Sequence, residues 1–447
     1  MKLGVAAAPV SMRPQEDVVR LRTGANPGAM LRMRIDGHVS SMEGLEGHFV
    51  PGKMIAYCVV NQDITIRGDI QALVLPNNAL TQVDVRQCPQ LRTLELEENP
   101  IEDIDLRHNP LLEEINLDGC NLHTLDVSNC PALQSLSCNG NQLQSLDVSK
   151  CSVLRELECG GNSLRSLDMS RCSALQDLHC SGNQLQSLDV SGCPALKHLS
   201  CWENQLESLD VLQCLALQEL ECAWNHLQFL DVSNCPELRG LECEENQLQR
   251  LDVSGCPVML SLLCRGNRLR SLNVSQCLAL QELNCGGNQL KSLDVSQCPE
   301  LQSLSCESNQ LQFLDVSNCP ALQELNCEGN QLQSLDVSKC SVLQSFLCGR
   351  NQLQCLDVSR CPALQGLSCE KNQLQSLDVS GCLELRRLWC EENQLSGLAI
   401  IALVESLPMV PDRSGRRIHM DSNSEAERLA RLKGWDVRQM RHRPGST

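Results

Sequence analysis

The thiols are the most reactive side chains in this sequence. The chain has 30 cysteines in 447 residues, and in a small secreted protein many cysteines usually indicate disulfides. Here 27 of them fall into two rows with a spacing of 21 residues. The first row runs from Cys138 to Cys390, and the second comprises Cys88 and the residues from Cys130 to Cys382. Cys58, Cys120 and Cys355 lie outside both rows.

The placement of the rows favours free thiols over disulfides. The first row fills a position that Leu75, Leu96 and Leu117 fill in the early repeats, so it is a core position where a buried thiol acts as a small hydrophobe. Equivalent residues on stacked coils would lie about 4.8 Å apart with parallel side chains, whereas a disulfide needs Cβ atoms about 3.8 Å apart that face each other. No C-x-x-C pair occurs, which argues against a zinc site.

An acidic row is the second regular feature. Every 21st residue from Asp84 to Asp378 is Asp, except Asn273. One interpretation is a local bond from each carboxylate to nearby backbone N–H groups, as in Asx-turns. The alternative is a run of bound cations such as Ca²⁺, which would need six or more converging oxygens. The repeat has no second carboxylate in phase, so the local bond is favoured and no metal ligands are assigned.

Enzymatic motifs are missing from the sequence. It contains no glycine-rich phosphate loop, no HExxH motif and no nucleophile elbow. None of its nine histidines is in phase with a repeated cysteine as a nucleophile and base pair. We therefore expect a protein that is not an enzyme, with no catalytic residues and no cofactor.

The element that positions these rows is a 21-residue repeat. Sixteen copies fill residues 70 to 410, and the best-formed copies read L-x-x-L-x-C-x-x-N-x-L-x-x-L-D-V-S-x-C-P-x. A unit of this size cannot bury its own apolar face, so the copies must stack as a solenoid. Alternation around Leu136 and Cys138 predicts a short strand in each copy. The sequence thus predicts a mainly β solenoid of about 16 coils with one long parallel sheet.

The two halves of each repeat are similar, and each ends in a turn residue. The asparagine from Asn78 to Asn393 is expected to point inward and to bond the backbone of its own and the next coil, because buried peptide groups need partners. The second-row cysteine is expected to do the same more weakly. The Leu-Asp-Val-Ser segment should be a shorter extended segment on the other side of the coil.

The ends lack the period and are predicted to be caps. Residues 1–69 form a β-rich N-terminal cap, with strands expected in Thr23 to Gly37 and Ile64 to Gly68. Residues 411–447 form an α/β C-terminal cap and tail. A helix is expected from Leu398 to Leu407 and a second from Ser424, ended by Gly434 and followed by a strand at Trp435 to Val437.

Charge and hydropathy restrict the partners. The net charge of −18 argues against nucleic acid, which needs a basic surface. No run of 18 or more apolar residues could span a membrane. The apolar run at the start of the chain is too short for a clear signal peptide. The alternative is that it is the remnant of one. The arginine-rich stretch 412–443 is interpreted as a solvated cap surface, or alternatively as a docking surface for an anionic partner.

The repeat resembles the leucine-rich repeats of internalin-like bacterial proteins, in which 21-residue units carry a cysteine ladder. The likeness covers residues 70–410, and the flanks Ile64 to Ile70, Leu403 to Pro408 and Lys433 to Val437 resemble those of related surface proteins. The resemblance implies an adhesin or surface interaction protein that is secreted or displayed at the cell surface. However, Leu407-Pro408-Met409-Val410-Pro411 lacks the Thr-Gly of a wall-anchoring signal. The alternative is a cytoplasmic leucine-rich repeat scaffold or effector.

One stretch of the predicted sheet face differs from the rest. Trp202 and Trp224 come from adjacent coils, and acidic residues surround them. Exposed aromatic residues ringed by charge are typical of binding hot spots; the alternative is that both indoles lie flat on the loop edge. We expect a monomer that binds a basic protein ligand on its concave face through Trp202, Trp224, Glu221, Glu242, Glu244, Glu245 and His198.

Overall fold

The computed structural model describes residues 16–409 and 415–438. The chain divides into two compact units, Met1–Leu175 and Gln176–Thr447. Both are built from 21-residue coils, and each is described separately. The predicted boundary at 410/411 lies outside the described residues.

Unit 1 begins with an antiparallel β cap. β1 pairs with β5 and β6, β2 pairs with β4 and β5, and β3 pairs with β4. The prediction of a β-rich N-terminal segment is confirmed, and the stretch from Thr23 to Gly37 contains strands and a turn, as expected. Two strands meet there at a turn around Gly28, where φ is +90°. The bounds are β1 (Asp17–Thr23), β2 (Met30–Glu43), β3 (Leu45–Glu46), β4 (Ile55–Val59), β5 (Asp63–Val74) and β6 (Leu80–Gln87).

Strand β5 joins the cap to the first coils. Its start pairs antiparallel with β1, and its end, from Ala72 to Val74, pairs in parallel with the next coil. The cap and the repeats therefore share one continuous strand, and the domain boundary at 69/70 stays a prediction. The parallel strands that follow in unit 1 are β7 (Thr93–Glu95), β8 (Glu114–Asn116), β9 (Ser135–Ser137) and β10 (Glu156–Glu158).

Unit 2 continues the pattern with one three-residue strand per coil, always parallel and in register. The main-sheet strands are β11 (Asp177–His179), β12 (His198–Ser200), β13 (Glu219–Glu221), β15 (Gly240–Glu242), β17 (Ser261–Leu263), β18 (Glu282–Asn284), β19 (Ser303–Ser305), β20 (Glu324–Asn326), β21 (Ser345–Leu347), β22 (Gly366–Ser368) and β23 (Arg387–Trp389). Across the coil, the expected second extended segment is a paired strand at β14 (Phe229–Asp231) and β16 (Arg250–Asp252). The predicted parallel-strand solenoid is confirmed.

The C-terminal end is α/β, as predicted. α1 (Gly397–Ser406) is capped by Ser396, and α2 (Ser424–Leu432) is capped by Asn423. Two further parallel strands, β24 (Arg417–His419) and β25 (Asp436–Arg438), extend the sheet of unit 2 beyond β23. Neither helix is long and apolar enough to cross a membrane, and they are the only helices among the described residues.

Leucine and cysteine fill the core of the coils. Both cysteine rows are buried, and all 30 cysteines are free thiols. Burial raises the pKa of the Cys264 thiol well above its usual value, with Cys285 in the next coil adding to the shift. Thiols in such a position stay protonated and unreactive, so the rows act as packing residues.

The asparagine row satisfies the backbone of the turns. Asn141 donates from Nδ2 to the carbonyls of Leu117 and Cys138, at 2.8 and 3.0 Å, and its Oδ1 accepts from the Leu122 N–H at 2.9 Å. The inward structural role is confirmed. The bond to its own coil is confirmed, but the direction of the bonds between coils is corrected, because they run to the preceding coil and not to the next one.

The turn residues of the two half-repeats make equivalent hydrogen bonds to backbone carbonyls. Asn109 stands in the second cysteine row and donates to the carbonyls of Val85 and Cys88 at 2.9 and 2.8 Å. Cys151, two coils later, directs its thiol to the equivalent carbonyls at 3.8 and 3.7 Å. Conversely, Cys120 stands in the asparagine row and donates to the Leu96 carbonyl at 3.4 Å. The thiol is therefore a longer and weaker substitute for the amide.

The acidic row makes local bonds, as expected. Asp147 Oδ1 accepts the backbone N–H of Ser149 at 2.9 Å, and the same i to i+2 bond recurs along the row. Asn273 keeps it, accepting from the Ser275 N–H at 3.0 Å. Within the described residues no cluster of His, Cys, Asp or Glu could hold a metal ion.

Candidate functional site

Each coil of unit 2 presents alternate residues on the outer side of its strand, because successive strand side chains point to opposite faces. In β12 these are His198 and Ser200, with buried Leu199 between them, and Trp202 continues the alternation beyond the strand. We call the surface formed by these positions in successive coils the sheet face. Parallel register then aligns each position in a row across the coils.

Three such rows contain the sequence-predicted residues. Ser200, Glu221 and Glu242 form one row, since Ser200 pairs with Glu221 and Glu221 with Glu242. Two residues further on, Trp202, Ala223 and Glu244 occupy equivalent positions. The turn row next to it holds Glu203, Trp224 and Glu245. The structure therefore brings together six of the predicted residues, here called the tryptophan patch: Trp202, Trp224, Glu221, Glu242, Glu244 and Glu245.

Both indoles of the tryptophan patch are exposed, Trp202 to 41% and Trp224 to 61%. Among the described residues, ring stacking joins Trp389 to His419, and none joins Trp202 to Trp224. Since the two tryptophans occupy different rows, they form a diagonal pair rather than a stack. Their ring faces remain available for contact.

The backbone of the turn row is left-handed at Trp224. Its φ is +56°, in the left-handed region, and Glu203 and Glu245 on either side have φ of 55° and 50°. Equivalent coils use Gly182 and Gly266 there, because a Cβ is disfavoured in this conformation. A bulky residue is disfavoured in this conformation, although seven of the eleven coils of unit 2 have a residue other than glycine at this turn.

The carboxylates of the patch repel one another. Burial is the first cause that raises the pKa of Glu242, and the remaining causes are the carboxylates of neighbouring residues, led by Glu221 and Glu244. Burial also raises the pKa of Glu244, although Arg265 partly offsets the shift. Arg265 itself pairs with Glu307 at 3.6 Å. The patch is therefore a surface on which negative charges lie close together.

Hydrogen bonds from neighbouring side chains orient Glu221. The hydroxyl of Ser200 donates to Glu221 Oε2 at 2.8 Å, and Ser181 in turn lies 2.8 Å from Ser200. These serines are 4% and 9% exposed, so they hold the carboxylate from below the surface. Glu221 is thus fixed in place before a ligand arrives.

His198 is separate from the tryptophan patch. It begins β12, four residues before Trp202, which is about 13 Å along an extended chain. Its Nδ1 contacts Asp177 Oδ1 in the preceding coil. The structure therefore places His198 at the opposite edge of the sheet face, and its predicted part in binding stays a prediction.

Sequence reasoning missed Gly240 as part of the site. A Cβ added there would lie 1.8 Å from Glu219 Oε2, so the Glu219 side chain lies across this glycine. Burial raises the pKa of Glu219, and His198 partly offsets the shift. The signal in the sequence was a glycine at a strand position where the adjacent coils have Glu219 and Ser261.

A groove with a volume of about 820 Å³ lies elsewhere in unit 2. It is lined by Phe313, Asp336, Cys355, Asp357 and Arg360, among others, and shares no residue with the tryptophan patch. Small molecules are usually bound in concave apolar pockets. The patch instead resembles the exposed centre of a protein interface.

Comparison with known proteins agrees with this architecture. A family model for leucine-rich repeats, in two copies, matches residues 173–214. The chain is similar to the functional domain of InlJ from Listeria monocytogenes, which includes a cysteine ladder. The identity is 26% and the TM-score 0.66, with 81% of this chain and 76% of that one covered. No curated protein sequence gives a significant match.

Two further solved structures show the same fold. A leucine-rich repeat protein of Leptospira interrogans is 23% identical, with a TM-score of 0.62 over 74% of this chain and 86% of that one. The ectodomain of the plant receptor kinase GASSHO1/SCHENGEN3 from Arabidopsis thaliana, in complex with CASPARIAN STRIP INTEGRITY FACTOR 2, is 20% identical. Its TM-score is 0.57 over 83% of this chain and 56% of that one. The chain is therefore a leucine-rich repeat solenoid, and its cysteine ladder is internalin-like.

Proposed function

We propose that this protein captures a basic protein ligand on the concave side of its coils, at the tryptophan patch, and acts as an internalin-like adhesin or surface interaction protein. The observation that carries the proposal is the pair of exposed tryptophans, Trp202 and Trp224, together with the Glu242 carboxyl, whose pKa is raised by burial and then by the carboxylates of Glu221 and Glu244. Interface hot spots are typically aromatic residues near the centre of a patch. The likeness to the InlJ domain supports the adhesin role.

The proposal assigns no catalysis, cofactor or metal to the chain. Its structural neighbours are repeat scaffolds, and one of them was solved with its ligand. We propose that the protein is a monomer that is secreted or displayed at the cell surface. The alternative, a cytoplasmic scaffold or effector, would use the same patch for a partner inside the cell. Fractionation of native cells, together with sequencing of the mature N-terminus, distinguishes the two.

Salt-dependent capture tests the electrostatic half of the proposal. The full chain is immobilised and exposed to surface proteins from candidate partner cells, and the captured partner is then purified. With this partner, the combined change of Glu221, Glu242, Glu244 and Glu245 to Gln should slow association and flatten its dependence on salt. As a control, Glu425→Gln with Glu427→Gln on α2 removes charge outside the patch. Equal salt dependence for wild type and the patch variant would contradict a basic ligand at this surface.

A further inference from the structure

The acidic row is interrupted at one position in unit 2. Every 21st residue from Asp84 to Asp378 is Asp, except for Asn273. Most coils have a serine two residues after the row, and Asn273 is likewise followed by Val274 and Ser275. The exchange of Asp for Asn therefore creates an Asn-x-Ser motif, and the 447-residue sequence has no other Asn-x-Ser or Asn-x-Thr motif. Such motifs are acceptors for N-linked sugars.

The side chain of Asn273 points outward from the coil. Its neighbours Leu272 and Val274 are 7% and 0% exposed, whereas Asn273 is exposed, because alternate residues of an extended segment face opposite sides. Its Oδ1 accepts the Ser275 N–H at 3.0 Å, and its Nδ2 donates to no described residue. The amide nitrogen is therefore unengaged, and the backbone bond holds the amide close to the serine of the motif.

The inward asparagines of the neighbouring turns are different. Asn288 donates from Nδ2 to the Cys264 and Cys285 carbonyls at 3.0 and 3.1 Å, and it is 8% exposed. A modification of such an amide would break the bonds that hold the turn. The asparagine of the acidic row carries no such duty, so its nitrogen can form a new bond without loss to the coil.

We propose that Asn273 is a glycosylation site, which receives a sugar on Nδ2 from a glycosyl diphosphate, either a nucleotide sugar or a lipid-linked oligosaccharide. A bond forms between Nδ2 and the anomeric carbon of the sugar, and the bond from that carbon to the diphosphate oxygen breaks. The diphosphate leaves with the electron pair, and the amide gives up one proton to a base of the transferase. Transfer from a lipid-linked donor rests on the proposed export of the chain, whereas transfer from a nucleotide sugar does not.

The position of Asn273 leaves the tryptophan patch open. Asn273 is the equivalent, one coil later, of Asp252 at the end of β16, on the segment across the coil from the sheet face. The residues before and after it in the row, Asp252 and Asp294, are also exposed, so an attached sugar meets polar neighbours. A glycan here would cover the side of the coil that the proposed ligand does not use.

Mass spectrometry of the protein purified from its native cells tests the site. Fragmentation that preserves side-chain modifications should locate a sugar on Asn273. A single hexose would identify a nucleotide sugar as the donor, and an oligosaccharide would identify a lipid-linked donor. An Asn273 that is unmodified in the purified protein would overturn the proposal.

Three variants made in the native cells test the motif itself. Asn273→Asp restores the usual residue of the row, with its acceptor for the Ser275 N–H, and should abolish the sugar. Ser275→Ala should also abolish it, although Asn273 remains. Asp294→Asn creates the same motif one coil later, with Ser296 in the third position, and should add a second sugar. A sugar that persists in Ser275→Ala would overturn the assignment to this motif.

The outcome is independent of the proposed ligand. Trp202→Ala with Trp224→Ala should keep the sugar on Asn273, and Asn273→Asp should bind the purified partner like the wild type. Failure of the glycosylation site and failure of the tryptophan patch are therefore distinguishable.

Discussion

At the residue scale, Trp224 occupies a left-handed turn position that is glycine in four other coils of unit 2 and a polar or charged residue in six. A left-handed backbone costs a residue with a Cβ about 1–2 kcal/mol, and the indole is largely exposed, so it regains little by packing. A side chain that costs stability without packing needs another explanation. We propose ligand contact as that explanation.

Because of this strain, we predict that Trp224→Gly weakens ligand binding without lowering the stability of the protein. Glycine loses more conformational entropy on folding than other residues. This cost of about 0.5–1 kcal/mol offsets part of the stability gained by removing the backbone strain. We expect the free energy of unfolding to be unchanged or higher by up to about 1 kcal/mol in urea melts, while ligand binding weakens. Trp435→Gly is the control. Removing this buried side chain should lower the free energy of unfolding by several kcal/mol. A clear loss of stability in Trp224→Gly would mean that the indole has a packing role.

The buried thiols give a second residue-scale prediction. Cys264 is fully buried, in a row that accepts leucine in earlier coils. Cys264→Ser should destabilise the protein by about 1–3 kcal/mol, because a buried hydroxyl there lacks a partner, and Cys264→Val should cost less. Urea melts measure the difference. If serine proved as stable as cysteine, the position would have to be hydrated.

At the element scale, the asparagine row holds each turn to the coil before it. Asn288 donates to the Cys264 carbonyl at 3.0 Å and accepts the Leu269 N–H at 2.9 Å. Asn288→Ala leaves the Leu269 N–H without its acceptor and removes one of two donors to the Cys264 carbonyl, the other being Asn267 Nδ2 at 3.1 Å. We expect a loss of about 1–3 kcal/mol. Asn288→Cys should cost less, because Cys120 already stands in this row with a thiol donor. Equal losses in the two variants would show that the thiol does not substitute for the amide.

The acidic row predicts how the coils respond to acid. Backbone and side-chain bonds from Ser149 and Ser296 lower the pKa of Asp147 and Asp294 below the usual value. A lowered folded-state pKa means that the stabilisation is present above the unfolded pKa of about 3.9 and is lost as the pH falls below it. Replacing several of these residues with Asn should flatten this acid dependence in urea melts, since Asn273 keeps the bond without titrating. An unchanged pH dependence of the free energy of unfolding would mean that other carboxylates determine it.

The sequence period was sufficient to predict the coils, because a repeat that cannot bury its own apolar face is stable only when its copies stack as a solenoid. It also identified the roles of Asn141 and Asp147, which follow from the need to satisfy turn backbone. The direction of the asparagine bonds was missed, since the period alone does not say which neighbour is closer. The left-handed turn at Trp224 and the bond from Ser200 to Glu221 could not be foreseen, because both depend on local geometry that differs between nearly identical coils.

At the scale of the whole molecule, the thiol rows predict a protein without disulfides. In the native state Cys58 and Cys355 are the thiols that are not buried, so alkylation before denaturation should label these two. Alkylation under denaturing, non-reducing conditions should then label the remaining thiols, to give 30 labelled cysteines in total by mass spectrometry. Several disulfides within the row from Cys138 to Cys390 would contradict the packing role of the thiols.

The central claim is that the tryptophan patch binds the partner. The most direct measurement is the equilibrium affinity of the purified partner for Trp202→Ala with Trp224→Ala, compared with Phe229→Ala with Phe313→Ala, two exposed aromatic residues across the coil. Aromatic anchors commonly cost about 2 kcal/mol or more each when truncated, so the tryptophan variant should lose capture with little change in melting temperature. The phenylalanine variant should bind like the wild type. Retained affinity in the tryptophan variant, or an equal loss in both, would contradict the account.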